Sequence, residues 1–149
     1  PEQSEGSAAV AGTEQQVLRV AQDDKKKGAQ DDTEIEGEFP MISAVFDGKP
    51  LADTMVAWCK RVTHGDVTQV LAGPQSMVDA TFTLDATHSP KHIDYVNRSG
   101  TNTGKKQAGI YDISGDTLRI CMAPPGDARP TAFESKKGDG RSLTVWRLT

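Results

Sequence analysis

Met77-Val78-Asp79-Ala80-Thr81-Phe82-Thr83-Leu84-Asp85 is the stretch that decides the fold. Val78, Ala80, Phe82 and Leu84 alternate with Asp79, Thr81, Thr83 and Asp85, the period of two expected of a strand with one buried and one wetted face. The same alternation sets Leu118, Ile120 and Met122 against Thr117, Arg119 and Cys121, and Leu143 and Val145 against Thr144 and Trp146. Weaker strands are predicted over 39–46, 58–63, 67–71, 92–97 and 107–113, which makes eight. Asp47-Gly48, His64-Gly65-Asp66, Gly73-Pro74 and Ser114-Gly115-Asp116 supply turn chemistry between them. Such short connections leave no room for parallel crossovers and imply an antiparallel meander, with 51–57 as a short helix capping one end. Eight strands with one apolar face each are most simply closed into an up-and-down barrel, which removes exposed edges. A β-sandwich is the alternative.

Outward from that core, residues 1–33 read as an acidic, flexible tail without aromatics. Val17, Leu18 and Ala21, with Thr13 as a cap, suggest one or two helical turns inside it. Residues 1–38 hold 10 acidic and 4 basic side chains, net −6, whereas residues 39–149 are net +2. The formal charge of −4 therefore belongs to the tail, and the barrel domain, 34–149, is close to neutral. A strongly basic nucleic-acid binder is excluded. No apolar run approaches the roughly 20 residues of a membrane-spanning helix, so a transmembrane chain is not expected. Arg98, Lys105 and Lys106 flank a loop without interleaved aromatics, which gives nucleic-acid binding no support. Cys59 and Cys121 are too sparse for a disulfide scaffold and read as two buried thiols, with one long-loop disulfide as the alternative. The chain begins at Pro1 rather than Met, which suggests a processed form. Export to the periplasm and a cytoplasmic location both stay open, as does the oligomeric state.

The run Gly109-Ile110-Tyr111-Asp112-Ile113-Ser114-Gly115-Asp116-Thr117-Leu118-Arg119-Ile120-Cys121 carries a resemblance. With Pro125-Gly126, Arg129-Pro130-Thr131 and Phe133, it resembles the bacterial Planctomycetes uncharacterised domain family. Glu36-Gly37-Glu38-Phe39, Ser43-Ala44 and Asp47-Gly48-Lys49-Pro50-Leu51 look like the same family's opening strand and turn. The likeness covers about residues 34–149 and is weaker over 55–78. It implies a lipocalin-like (calycin) barrel and brings no established activity. Gly37-Glu38-Phe39 resembles the lipocalin Gly-x-Trp with Phe for Trp. The resemblance implies a basic residue of the last strand, Arg147 or Arg141, stacked over the Phe39 ring.

Few constellations could carry chemistry. His88 and His92 could converge across a turn, with Asp85 as orienter, as the base of a small hydrolase acting on an ester or lactone at the rim. No serine (Ser76, Ser89, Ser99 or Ser114) sits in a Gly-x-Ser-x-Gly elbow. His64, His88 and His92 are the candidates for a divalent cation. They lack the defined spacing of a zinc site, and no cofactor is expected. Asp112, Asp116, Asp127 and Asp139 stand next to glycine or in turns and do not match a calcium loop. The segment 124–140 is long for a hairpin connection. Its Arg129 and Phe133 could fold over the barrel mouth and meet a ligand carboxylate or phosphate. Arg129 could equally pin the loop by pairing with an internal Asp or with backbone carbonyls.

The expected function is a binding module for a small amphipathic molecule, since barrel mouths recur as ligand sites. Ala80, Phe82, Leu84, Tyr95, Leu118, Ile120 and Met122 are the inward candidates, with Arg129 and Phe133 at the mouth. The rim hydrolase and a structural or interaction domain using the acidic tail are the alternatives.

Overall fold

The computed structural model describes residues 31–148, and the predicted strands run through them. They are β1 (Gly37–Phe46), β3 (Cys59–His64), β4 (Val67–Ala72), β5 (Gln75–Asp85), β6 (Lys91–Asn97), β7 (Lys106–Ser114), β8 (Thr117–Met122) and β9 (Ser142–Arg147). Each pairs antiparallel with its sequence neighbour, and β1 also pairs with β9, so the sheet closes as an eight-stranded up-and-down barrel. One further strand, β2 (Lys49–Pro50), folds back along β1. The helix predicted over 51–57 is a single turn, Asp53–Val56. The tail helix expected around residues 15–22 lies outside the described residues.

Side-chain parity builds the inner wall. Cross-strand partners share a face, and Leu84–Ile93, Gly109–Met122, Ile113–Leu118 and Leu118–Trp146 are all inward pairs. Two bulges correct the register. The extra residue in β1 is Ile42, so Phe39 and Met41 face inward before it, and Ala44 after it. The extra residue in β5 is Met77, opposite the Val70/Leu71 step. In β9 the inward face is Thr144 and Trp146, the reverse of the apolar face expected from Leu143 and Val145. Trp146 is fully buried, and its Nε1 donates to Thr144 Oγ1 at 2.8 Å, so both polar groups of that face are satisfied within the barrel.

The 123–141 segment lies along the outer wall of β6–β8. Ile110 and Cys121 face outward, opposite each other on β7 and β8, and are nevertheless buried, as is Pro130. The lower end of the segment docks on the β1–β2 turn. There Asp47 and Gly48 both have positive φ (51° and 78°), the conformation of a two-residue hairpin turn that tolerates Asn, Asp and Gly. Asp47 Oδ1 accepts from Gly138 N at 3.0 Å and Gly140 N at 2.8 Å, and Gly48 N donates to Ser135 Oγ at 2.9 Å. Cys59 faces inward and Cys121 outward, so the barrel wall separates the two free thiols and no disulfide joins them.

At the upper end, where β1 begins and β9 finishes, residues 31–34 form a helical turn that precedes β1. Ile35 joins the core cluster. Asp31, three residues before the boundary drawn at residue 34, is buried in this unit. Among the described residues no helix is long and apolar enough to cross a membrane.

Candidate functional site

Strand parity places Phe82, Leu84, Tyr95, Leu118, Ile120 and Met122 on the inner face, packed in one cluster with Ile93, Tyr111 and Trp146. Among these apolar side chains sits a cation that the sequence reading did not single out. Arg61 is centred in β3 between Cys59 and Thr63, all three inward, and only 3% of its surface is exposed. Its Nη1 donates to Thr68 Oγ1 at 2.8 Å and to Tyr95 Oη at 3.0 Å. Thr63 and Thr68 hydroxyls meet at 2.9 Å beside it. The guanidinium carbon stands 4.6 Å from the Trp146 ring centroid, a cation–π contact. Here the stacked arginine is therefore Arg61 of β3, over a ring of the last strand. The expected pairing of Arg147 or Arg141 with Phe39 is reversed. Arg147 instead donates outward to Asp116 at 3.1 Å. The reason is register: Phe39 lies directly opposite Arg61, and Met41 opposite Trp146, so the interior arginine is already beside the only inward indole.

A groove of about 620 Å³ opens at the upper end, with Thr33, Glu36, Gly65, Asp66, Phe82 and Leu84 in its lining. Glu36 shapes it by clamping the β3–β4 turn: Oε1 accepts from Gly65 N and Oε2 meets His64 Nδ1, each at 2.9 Å. Asp32 also lines it, and burial, then the neighbouring Asp31, raises its carboxyl above the ordinary range. Beside the groove, Tyr111 Oη donates to Asp31 Oδ2 at 2.5 Å, and Lys91 Nζ donates to the same oxygen at 3.0 Å. Burial first, then that hydrogen bond, pushes the Tyr111 phenol far above its usual value of 10. This triad tethers the helical turn to β6 and β7.

The rim histidines come together, and His88 also meets Asp85. His88 and His92 stack face to face, 3.7 Å between centroids and 4° from parallel. His88 Nε2 lies 3.3 Å from Asp85 Oδ2, while Asp85 Oδ1 accepts from Thr87 N and Thr87 Oγ1 and so builds the turn. Among the described residues neither ring hydrogen-bonds a serine, so a base and an orienter stand without a nucleophile. Burial, then Arg129 and His88, lowers the His92 value. His64 is in a different turn with 94% of its side chain exposed, paired to Glu36. Among the described residues no group of three metal-ligating side chains forms, and the three histidines do not share a site. The turn aspartates are likewise engaged: Asp112 with Arg119 at 2.7 Å, and Asp139 with the Lys136 and Arg141 amides.

Arg129 and Phe133 lie on the outer wall instead of at the mouth. Arg129 Nη1 donates to the Gly109 carbonyl at 2.8 Å and the Ile93 carbonyl at 3.3 Å, and Nη2 pairs with Asp94 at 2.8 Å. Phe133 stacks with the Arg119 guanidinium at 4.1 Å. Both side chains pin the long segment to β6–β8. The reason is that Asp94 and Arg119 face outward there, so their partners must as well.

The signal for Arg61 was present but ambiguous. In 58–63 an alternation read on Trp58, Lys60 and Val62 puts Arg61 among the other residues, with Cys59 and Thr63, which gives no apolar face on either side. Trp58 is 58% exposed and Cys59 begins the strand, so the face containing Arg61 is the inner one. Comparison with family models, with curated proteins and with solved structures finds nothing that matches this chain.

Proposed function

We propose that this domain is a binding module for a small amphipathic molecule, lipocalin-like in architecture and non-enzymatic. The observation that carries the reading is the groove at the upper end, about 620 Å³, with Phe82 and Leu84 in its lining. That size lies within the roughly 300–1,000 Å³ of small-molecule sites. The same two side chains belong to the inner wall, so an apolar body held there would continue onto the barrel core. The resemblance of 109–121 to the Planctomycetes uncharacterised domain family is part of the proposal and brings no ligand with it.

The test uses Nile red, an uncharged apolar dye. The folded chain is expected to take it up with a saturable rise in emission. Leu84→Glu, which puts a charge in the groove wall, is expected to weaken uptake roughly tenfold, about the effect of one unpaired charge at a modest desolvation cost. Absence of saturable uptake by folded wild type would overturn the reading.

A further inference from the structure

We infer that the 124–140 segment is an acid-released strap, fastened by Arg129 beside the stacked His88–His92 pair and loosened when that pair takes up protons. The inference is independent of what the groove holds. It starts from one row of directly opposed residues on the outer wall: Asp85 on β5, His92 on β6, Ile110 on β7 and Cys121 on β8. Outward side chains of a barrel wall meet water unless something covers them, yet Ile110 and Cys121 are 1% and 0% exposed. The cover is the segment. Pro130 is buried with them, and Cys121 Sγ donates to the Glu134 carbonyl at 3.4 Å. The fastening nearest His92 is Arg129. Its Nη1 reaches the carbonyl of the adjacent Ile93, and its Nη2 pairs with Asp94, two residues along the same outward face.

That fastening sets a permanent cation beside two imidazoles. The charged and titratable groups facing His92 are His88, stacked at 3.7 Å, Asp85 from β5, Asp94 on its own strand and Arg129 from the segment. The second fastening, Phe133 over Arg119 of β8 with its partner Asp112, holds no group that titrates near neutral pH. With both rings neutral, one cation stands against two carboxylates. With both protonated, three cations do, and Asp94 is already committed to Arg129. Like charges this close repel, more so where burial keeps water out. Proton and strap therefore compete: docking sets Arg129 against His92 and disfavours its proton, and by linkage a proton on His92 weakens docking. The sign follows. A His92 value lowered from 6.5 leaves the strap closed above about pH 6.5 and loosens it as pH falls below that.

The experiment labels the full chain with a dipyridyl disulfide, which reacts with thiols in acid as well as at neutral pH. Rates are taken at about pH 7.5 and about pH 5.5, each divided by the rate of glutathione at the same pH. Peptide masses identify the labelled cysteine. Cys121 is expected to react at least roughly five times faster at the lower pH, the lower end of coupling between linked sites. Cys59, on the inner face, should stay protected. His92→Gln should hold Cys121 at the slow rate at both pH values, whereas His64→Gln, in a separate turn, should keep the rise. Arg129→Gln should speed labelling of Cys121 at both. No rise in wild type, or an undiminished rise in His92→Gln, overturns the acid release. Cys59 reacting in step with Cys121 means that the barrel itself opens, and overturns it too. Cys121 still protected in Arg129→Gln overturns the fastening.

Discussion

Single atoms decide much of this barrel. A Cβ at Gly109 would lie 2.2 Å from Met122 Sδ and 2.7 Å from the Cys121 carbonyl, so the wall of β7 and β8 closes only around a hydrogen there. We expect Gly109→Ala to lower unfolding free energy by about 1–3 kcal/mol, the usual cost of overpacking, measured by denaturant titration. An unchanged midpoint would show that the two strands can separate without cost. The upper end is set by protons. The folded chain holds Tyr111 protonated to higher pH than the unfolded chain does, because burial and Asp31 oppose the phenolate. Stability from this group is complete below about pH 10 and declines as pH rises above it. Tyr111→Phe should flatten that alkaline decline. His92 runs the opposite way. Its value is lowered in the folded state, chiefly by burial, so its contribution is intact above about pH 6.5 and is lost as pH falls below that. His92→Gln should shallow the acid limb of a stability–pH profile; an unaltered limb would assign it to other groups.

Elements were legible in the sequence where parity was unbroken. β5 and β8 show alternation over their inner residues, and the alternation over 117–122 coincides with the bounds of β8. β1 was harder because Ile42 is a bulge, and the inward set changes from odd to even numbers across it. In β9 the apolar pair Leu143 and Val145 points away from the core. A Thr–Trp pair is less apolar by composition than Leu–Val, yet Trp146 fills the interior and ties off Thr144. Nothing local specifies that; the pairing with Leu118 and Met41 does. The length of the 124–140 segment marks it as unusual, but its docking side depends on Asp94 and Arg119, which are distant in sequence. Asp47 tests that docking. Asn can keep both the positive φ and the oxygen that accepts from Gly138 and Gly140, whereas Ala keeps neither easily. We expect Asp47→Ala to cost about 1–3 kcal/mol and to speed proteolysis within 124–140, with Asp47→Asn close to wild type. Equal cleavage rates for the two variants would mean the turn does not hold the segment.

For the molecule as a whole, closure turns a modest set of alternating strands into a container whose inner chemistry differs from its surface. The charge arithmetic described the surface and the tail; it could not reveal one inward guanidinium, because composition carries no direction. The histidines drew attention by type and spacing, but turns placed them on the rim, stacked or apart. Arg61 lacked any motif and became visible only when β3, β4, β6 and β9 were brought round it. The central claim is that the groove at the upper end, with Phe82 and Leu84 in its lining, receives a small amphipathic molecule, and dye uptake reports on it directly. Nile red emission should rise saturably when the dye is added to the folded chain, and Leu84→Glu should weaken that uptake roughly tenfold. Emission that shows no saturable rise with folded wild type would contradict the account.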